Sequence, residues 1–313
     1  MRKTFINTLC EMAKENKRIW LLTGDLGYSI LEKFADMFSD RYVNVGVAEQ
    51  NMTGVAAGLA LSGKIVFTYS IANFPLLRCL EQVRNDVCYH DLNVNIVSVG
   101  AGLAYGPAGY THHAVEDLAV ARSLPRMTVM TPANQHETYF ATKVACEQQG
   151  PSYLRLGRSS VSLPQMDDSS VEFNVLKANV LKRGDDITLI STGNVLELAM
   201  KAADQLAANN CEATVISMPT LFPFDEQAVI DAACRTKGII TVEEHGIGGL
   251  GSAVAETLVG MRQKVAFIPI RLEQTIVARA DNHANLLHES GITVESILQA
   301  THKILQLRNG NKP

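Results

Sequence analysis

Short apolar runs rich in β-branched residues recur along this chain, spaced so that each interval holds one helix, and nothing else in the sequence constrains the fold as strongly. "RIWLLTGD", "RYVNVGV", "KIVFTYS", "LNVNIVSVG", "RMTVMTP" and "PSYLRL" occupy the first half, with longer amphipathic segments between them. Strands that are apolar on both faces are covered on both sides, and strands separated by helices join in parallel, so the pattern predicts a parallel sheet wrapped by helices. The periodicity lapses over "GRSSVSLPQMDDSSVEFN", where Ser, Asp and Pro read as an interdomain linker. A second cycle follows: "DDITLIST", "CEATVISMP", "KGIITVEEH" and "KVAFIPIRL" read as strands, with helices near residues 195–209, 225–234 and 249–261. The expected architecture is α/β: two consecutive, mostly parallel-sheet domains over 1–160 and 181–313, with a linker over 161–180.

With 313 residues, 47% of them hydrophobic, the chain can fill two such cores without metals or disulfides. Its 28 Lys and Arg against 32 Asp and Glu give a net charge of -4 with no block of either sign, so neither nucleic acid nor an anionic membrane is an expected partner. The six cysteines are scattered without the close pairs of a zinc or redox motif. No apolar segment approaches the ~18 residues of a membrane span. "MRKTFINTLCEMAKENK" spaces its apolar residues helically among polar ones, unlike a signal peptide, so it reads as a first helix and the cytoplasm as the expected compartment.

Open α/β sheets bind ligands beyond the carboxyl ends of their strands. Four strand ends here carry suitable sequence: "GDLGYS" after the first run, Glu49 after "VGVA", "IANF" after "KIVFTYS", and the glycine-rich "AGLAYGPAGYTHH" after "LNVNIVSVG". No nucleotide motif fits. "GIGGLGSAVAE" lacks the full dinucleotide fingerprint and reads as a tight turn before a helix rather than a phosphate cradle. No spacing of His, Cys and Glu supplies three ligands for one metal, so none is expected from this chain alone. Glu49 opens a run, "EQNMTGVAAGLALSG", so rich in Gly and Ala that Gly54, Ala56, Ala57 and Gly58 are expected to let another backbone pack close.

"VGVAEQNMTGVAAGLALSGK", "FTYSIANFPLLRCLEQVRNDV", "GPAGYTHHAVEDLAVARSLPRMTVMTPANQHE" and "GPSYLRLGR", in that order, resemble the pyrimidine-binding domain of transketolases. "TVEEHGIGGLGSAVAE" is similar to that family's C-terminal domain, so the resemblance spans nearly the whole chain. The Gly-Asp-Gly signature by which the family's other domain holds magnesium and the diphosphate is missing. The resemblance therefore implies the C-terminal half of a split transketolase: a thiamine diphosphate enzyme with Mg2+ held mainly by an N-terminal-half subunit in an α2β2 complex.

It implies roles as well. Glu49 matches the carboxylate that bonds the aminopyrimidine and must be buried to share its proton; on residue chemistry alone, a first-turn glutamate also serves the helix dipole, worth up to ~1 kcal/mol. Phe74 matches the aromatic on which the pyrimidine stacks, although a Phe past a strand is also ordinary core. Ile71, where many relatives carry an aromatic, and Asp25, also a natural turn former, match positions near the cofactor. His112 matches the histidine that reaches the sugar's reacting oxygens, with His113 beside it, and a loop-capping histidine is the other reading. Arg158, Arg2 and Thr23 match positions that grip a distal phosphate. Two departures stand out: the family histidine before the loop is Gly100 here, and the aspartate that senses the sugar's C2 hydroxyl is Ala108. Expected activity is transfer of a two-carbon ketol unit from a ketose to an aldose, with a deoxy, modified or unphosphorylated sugar as a credible substrate. The alternatives are a decarboxylating synthase using pyruvate and a non-catalytic partner subunit.

Overall fold

Each of the ten expected strands forms in the computed structural model, which describes residues 1–158 and 173–308. The first sheet contains β1 (Ile19–Thr23), β2 (Tyr42–Asn44), β3 (Ile65–Ile71), β4 (Val94–Val99), β5 (Thr128–Met130) and β6 (Ser152–Leu156). The second half supplies β7 (Asn179–Lys182), β8 (Ile187–Ser191), β9 (Ala213–Ser217), β10 (Thr220–Phe222), β11 (Gly238–Val242) and β12 (Ala266–Ile270). The sheet orders are β10-β5-β6-β4-β3-β1-β2 and β12-β11-β8-β9-β7. All pairings are parallel except β10 with β5 and β7 with β9. Every residue of β4 and β8 is buried, as strands with helices on both faces require. The first helix, Arg2–Glu15, buries Phe5, Ile6, Leu9, Cys10 and Ala13, the spacing of one helical face. No helix among the described residues is long and apolar enough to cross a membrane.

The sequence pattern does not announce the two antiparallel edges. β10 leaves the second half to pair with the outer edge of β5, Thr220 opposite Met130. It is three residues long and bracketed by Pro219 and Pro223, the punctuation of an edge strand and too little apolar sequence to stand out. Residues 161–172 of the expected linker lie outside the described residues. Beyond them, Val175 is 1% exposed in the core cluster of the first half, and its carbonyl accepts at 2.8 Å from the hydroxyl of Thr220 on β10, so the end of the expected linker packs on the first sheet.

A buried polar network joins the halves. Arg155 on β6 donates from Nε to Asp117 Oδ2 at 2.8 Å, and from Nη2 to the carbonyls of Ala114 at 2.6 Å and Glu244 at 3.1 Å. The Tyr153 hydroxyl donates to the same Asp117 oxygen at 2.7 Å. Glu244, from the second half, accepts the Leu103 amide at 2.5 Å and meets His283 Nε2 at 2.7 Å. His245 Nε2 accepts the Leu118 amide at 3.0 Å while Nδ1 faces the Gly246 carbonyl at 3.1 Å, which fixes the proton on Nδ1. The glycine-rich turn ahead of the helix Leu250–Val259 is a tight turn, its Leu250 and Gly251 amides each held at 2.7 Å by the Glu243 carboxylate.

Burial pushes the His245 imidazole down to about 4. The folded ring stays neutral where the unfolded ring takes a proton, so between about pH 6.5 and 4 the unfolded state binds more protons and stability falls as pH falls. The full shift corresponds to at most about 3 kcal/mol. Urea unfolding of wild type from pH 7 to 4 should show this loss, and His245→Gln, which keeps a neutral acceptor, should show a shallower dependence; equal slopes would remove His245 as the cause.

Candidate functional site

Glu49 is the first residue of the helix Glu49–Leu61, which follows β2 through a left-handed Gly46 (φ 74°). It is 2% exposed. A Cβ built on Gly24, just past β1, would lie 3.6 Å from Glu49 Cγ, so the two strand ends close around the carboxylate. Ser70, near the end of β3, donates to Oε1 at 3.3 Å, and Arg78 Nη1 donates to Oε2 at 2.6 Å. A buried carboxylate needs such a counter-charge. Ala56 and Ala57 pack into the core, as a Gly/Ala-rich helix allows. Gly54 and Gly58 do not: a Cβ at either meets nothing within 4 Å, so no described residue makes the expected close backbone approach.

β3 ends at Ile71, half-buried, and the chain turns through Ala72 (φ 37°), whose amide donates to the Val99 carbonyl at 2.6 Å and whose carbonyl accepts from Ser98. That turn delivers Phe74. Arg78 Cζ lies 4.7 Å from the Phe74 ring centroid while its Nη1 holds Glu49. The guanidinium therefore satisfies the carboxylate and covers the aromatic face at once. Sequence reasoning missed Arg78, although a lone cation in "ANFPLLRCL", four residues after Phe74, was a usable signal.

The loop from Gly100 to Ala114 bends through left-handed Gly100, Gly102 and Gly109. It brings the His112 ring edge-on to Phe74 at 5.3 Å between centroids, with Thr111 Oγ1 3.0 Å from His112 Nδ1. Tyr105 lies 6.2 Å from His112, and the Arg158 guanidinium sits 4.8 Å above the Tyr105 ring. Burial pushes the Tyr69 phenol up, and the positive charge of Arg2, at the start of the first helix, opposes that shift. Thr23 is fully buried, its hydroxyl donating to the carbonyls of Leu26 at 3.0 Å and, more weakly, Tyr69 at 3.4 Å. Glu49, Phe74, His112, Arg158, Arg2 and Thr23 are thus linked through shared neighbours, with Ile71 at the turn.

Two expected residues sit apart. Asp25 (φ 57°) is exposed and bonded to Asn44 Nδ2 at 3.0 Å and the Tyr28 hydroxyl at 3.1 Å, a turn at the rim. His113 is 1% exposed, its imidazole pushed down by burial and its carbonyl accepting from Asn73 at 3.0 Å, so its ring belongs to the packing under the loop. Among the described residues no group of three His, Cys, Asp or Glu is placed to hold a metal.

Residues 1–164 match the family model of the transketolase pyrimidine binding domain, and residues 176–297 that of the transketolase C-terminal domain. The chain belongs to the transketolase family. It is 36% identical, over 99% of its length and 95% of the relative's, to a 6-deoxy-6-sulfo-D-fructose transketolase subunit of a Clostridium species. It is 40% identical, over 82% of its length and 83% of the relative's, to an apulose-4-phosphate transketolase subunit of Phocaeicola vulgatus. A solved split gene transketolase, described as an inactive β4 tetramer, superimposes with a TM-score of 0.88 at 38% identity and 98% coverage of both chains. Over its length this transketolase chain corresponds to the C-terminal-half subunits.

Arg78→Ala should leave Glu49 buried without its counter-charge. Because Arg78 is about half exposed, the expected destabilisation is about 1 to 2 kcal/mol, below the 3 to 5 of a fully buried pair. Adding Glu49→Gln should recover most of it. Urea unfolding of the four proteins in this cycle measures the coupling, and additivity within about 0.3 kcal/mol would show that the pair contributes nothing.

Proposed function

We propose that this chain is the C-terminal-half subunit of a thiamine diphosphate-dependent transketolase that moves a two-carbon ketol unit from a ketose to an aldose. One observation carries the reading. A planar N–H donor already bonds the buried Glu49 and covers the Phe74 face, and an aminopyrimidine asks for those two contacts together. The residues present therefore fit the cofactor's pyrimidine, which would take the place of the Arg78 guanidinium. When bound, thiamine diphosphate supplies the carbon nucleophile of the reaction.

The chain's own residues would do the rest. Glu49, screened from water, holds a proton at the pyrimidine ring nitrogen. Phe74 and Ile71 fix the ring's plane, and Asp25 contributes from the rim. His112, half-buried with Thr111 on its Nδ1, donates to the sugar's reacting oxygens and moves their proton. Arg158 and Arg2 attract a distal anion, with Thr23 and His113 shaping the wall behind it. The diphosphate and Mg2+ fall to an N-terminal-half partner in an α2β2 complex in the cytoplasm. The solved split gene transketolase is described as an inactive β4 tetramer, which supports a chain that needs a partner.

Calorimetry should show no micromolar binding of thiamine diphosphate by this chain with Mg2+, and binding together with ketol transfer once the partner is added; micromolar binding by the chain alone contradicts the division of labour. Because Ala108 stands where relatives place an aspartate, the complex should discriminate C2-epimeric acceptors weakly, a hydrogen bond to a charged group being worth about 1.5 to 3 kcal/mol. A ratio of kcat/KM values above about 10³ between epimers means that another residue reads that hydroxyl.

A further inference from the structure

We infer that Tyr105 is a specificity-determining residue of this site: its ring fills the space that a side chain at residue 100 would occupy and positions Arg158 for a tetrahedral oxyanion at the far end of the sugar. The inference rests on the transketolase reading for the sugar, and on geometry alone for the arrangement. Gly100 adopts φ 95°, and a Cβ built there would fall 2.1 Å from both Cδ2 and Cε2 of Tyr105. The ring therefore lies directly against the Gly100 α-carbon, an approach that glycine alone permits. Gly100 is itself pinned, its amide donating to the Leu156 carbonyl at 2.8 Å, at the end of the strand that leads into Arg158.

Tyr105 also carries the Arg158 guanidinium, 4.8 Å from its ring centroid. Among the described residues Arg158 also makes a long hydrogen bond, 3.4 Å from Nη1 to the Ala104 carbonyl, a weaker restraint on its direction than the aromatic face. The same ring lies 6.2 Å from His112. Tyr105 thus stands between a candidate anion-binding arginine, Arg158, and the proton-handling histidine, His112. Tyr105, five positions after the Gly100 that stands in place of the family histidine, fills the space and holds a cation beside it.

The test uses inorganic phosphate on the full-length chain and, in the complex with its N-terminal-half partner, the phosphorylated and free forms of one acceptor sugar. Tyr105→Ala should raise the phosphate dissociation constant about fivefold, the scale of a solvent-exposed cation–π contact, and lower the ratio of kcat/KM for phosphorylated over free acceptor by a similar factor. Tyr105→Phe, which keeps the ring, should restore both. Gly100→Ala, which evicts the ring, should reproduce the Tyr105→Ala result. A dissociation constant within twofold of wild type in Tyr105→Ala, equal losses on both acceptors, or a Phe variant as impaired as Ala would each overturn the inference. A wild-type complex that transfers no ketol unit would instead overturn the proposed function, while the phosphate titration would still decide the role of Tyr105.

Discussion

The arrangement of this molecule depends on a buried arginine. Arg155 is 3% exposed, too deep to stand without partners, and it finds them on three segments: Asp117 at the start of a helix, the Ala114 carbonyl at the end of the site loop, and the Glu244 carbonyl from the second half. Removing any one leaves charge or a polar atom uncompensated in a low-dielectric interior, so the three segments hold one relative position. Glu244 then reaches on to the Leu103 amide, inside the loop that carries Tyr105 and His112. The second half thereby sets the geometry of a site whose groups all come from the first.

The second constraint is Glu49. A carboxylate 2% exposed is costly, and the fold surrounds it with a helix N-terminus, Ser70 and Arg78. A group serving only the helix dipole has no need of such enclosure. That the guanidinium paired with it also lies over Phe74 turns an isolated ion pair into a planar recognition surface, and the His112 ring borders the same aromatic.

How much of this was legible in the sequence follows from the range over which each signal acts. Strand and helix periodicity is local, and the ten parallel strands could be read from it. β10 could not, because three residues between prolines have no period and what determines them is the free edge of β5, some ninety residues earlier. Glu49, Phe74 and His112, which the fold brings together around Arg78 and the Phe74 ring, were expected from the order of their motifs. Tyr105 was not, since its importance lies in a contact with Gly100 that exists only once the loop is folded. Gly54 and Gly58 are unusual in the sequence, yet no described residue packs against the surface they leave open. His112 and His113 look equivalent in "THH", and only the depth of the loop separates a half-buried ring from one 1% exposed.

The central claim is that Glu49 is buried to handle a proton on the cofactor rather than to cap a helix. Exchange of the thiamine diphosphate C2 proton with deuterium, followed by NMR in the complex with the N-terminal-half subunit, tests it most directly. Glu49→Gln keeps the volume and removes the carboxylate. The account predicts an assembled complex whose exchange is slower by at least ~10²-fold, the usual scale for an acid–base group. An exchange rate within a few-fold of wild type would contradict it and leave Glu49 a structural residue.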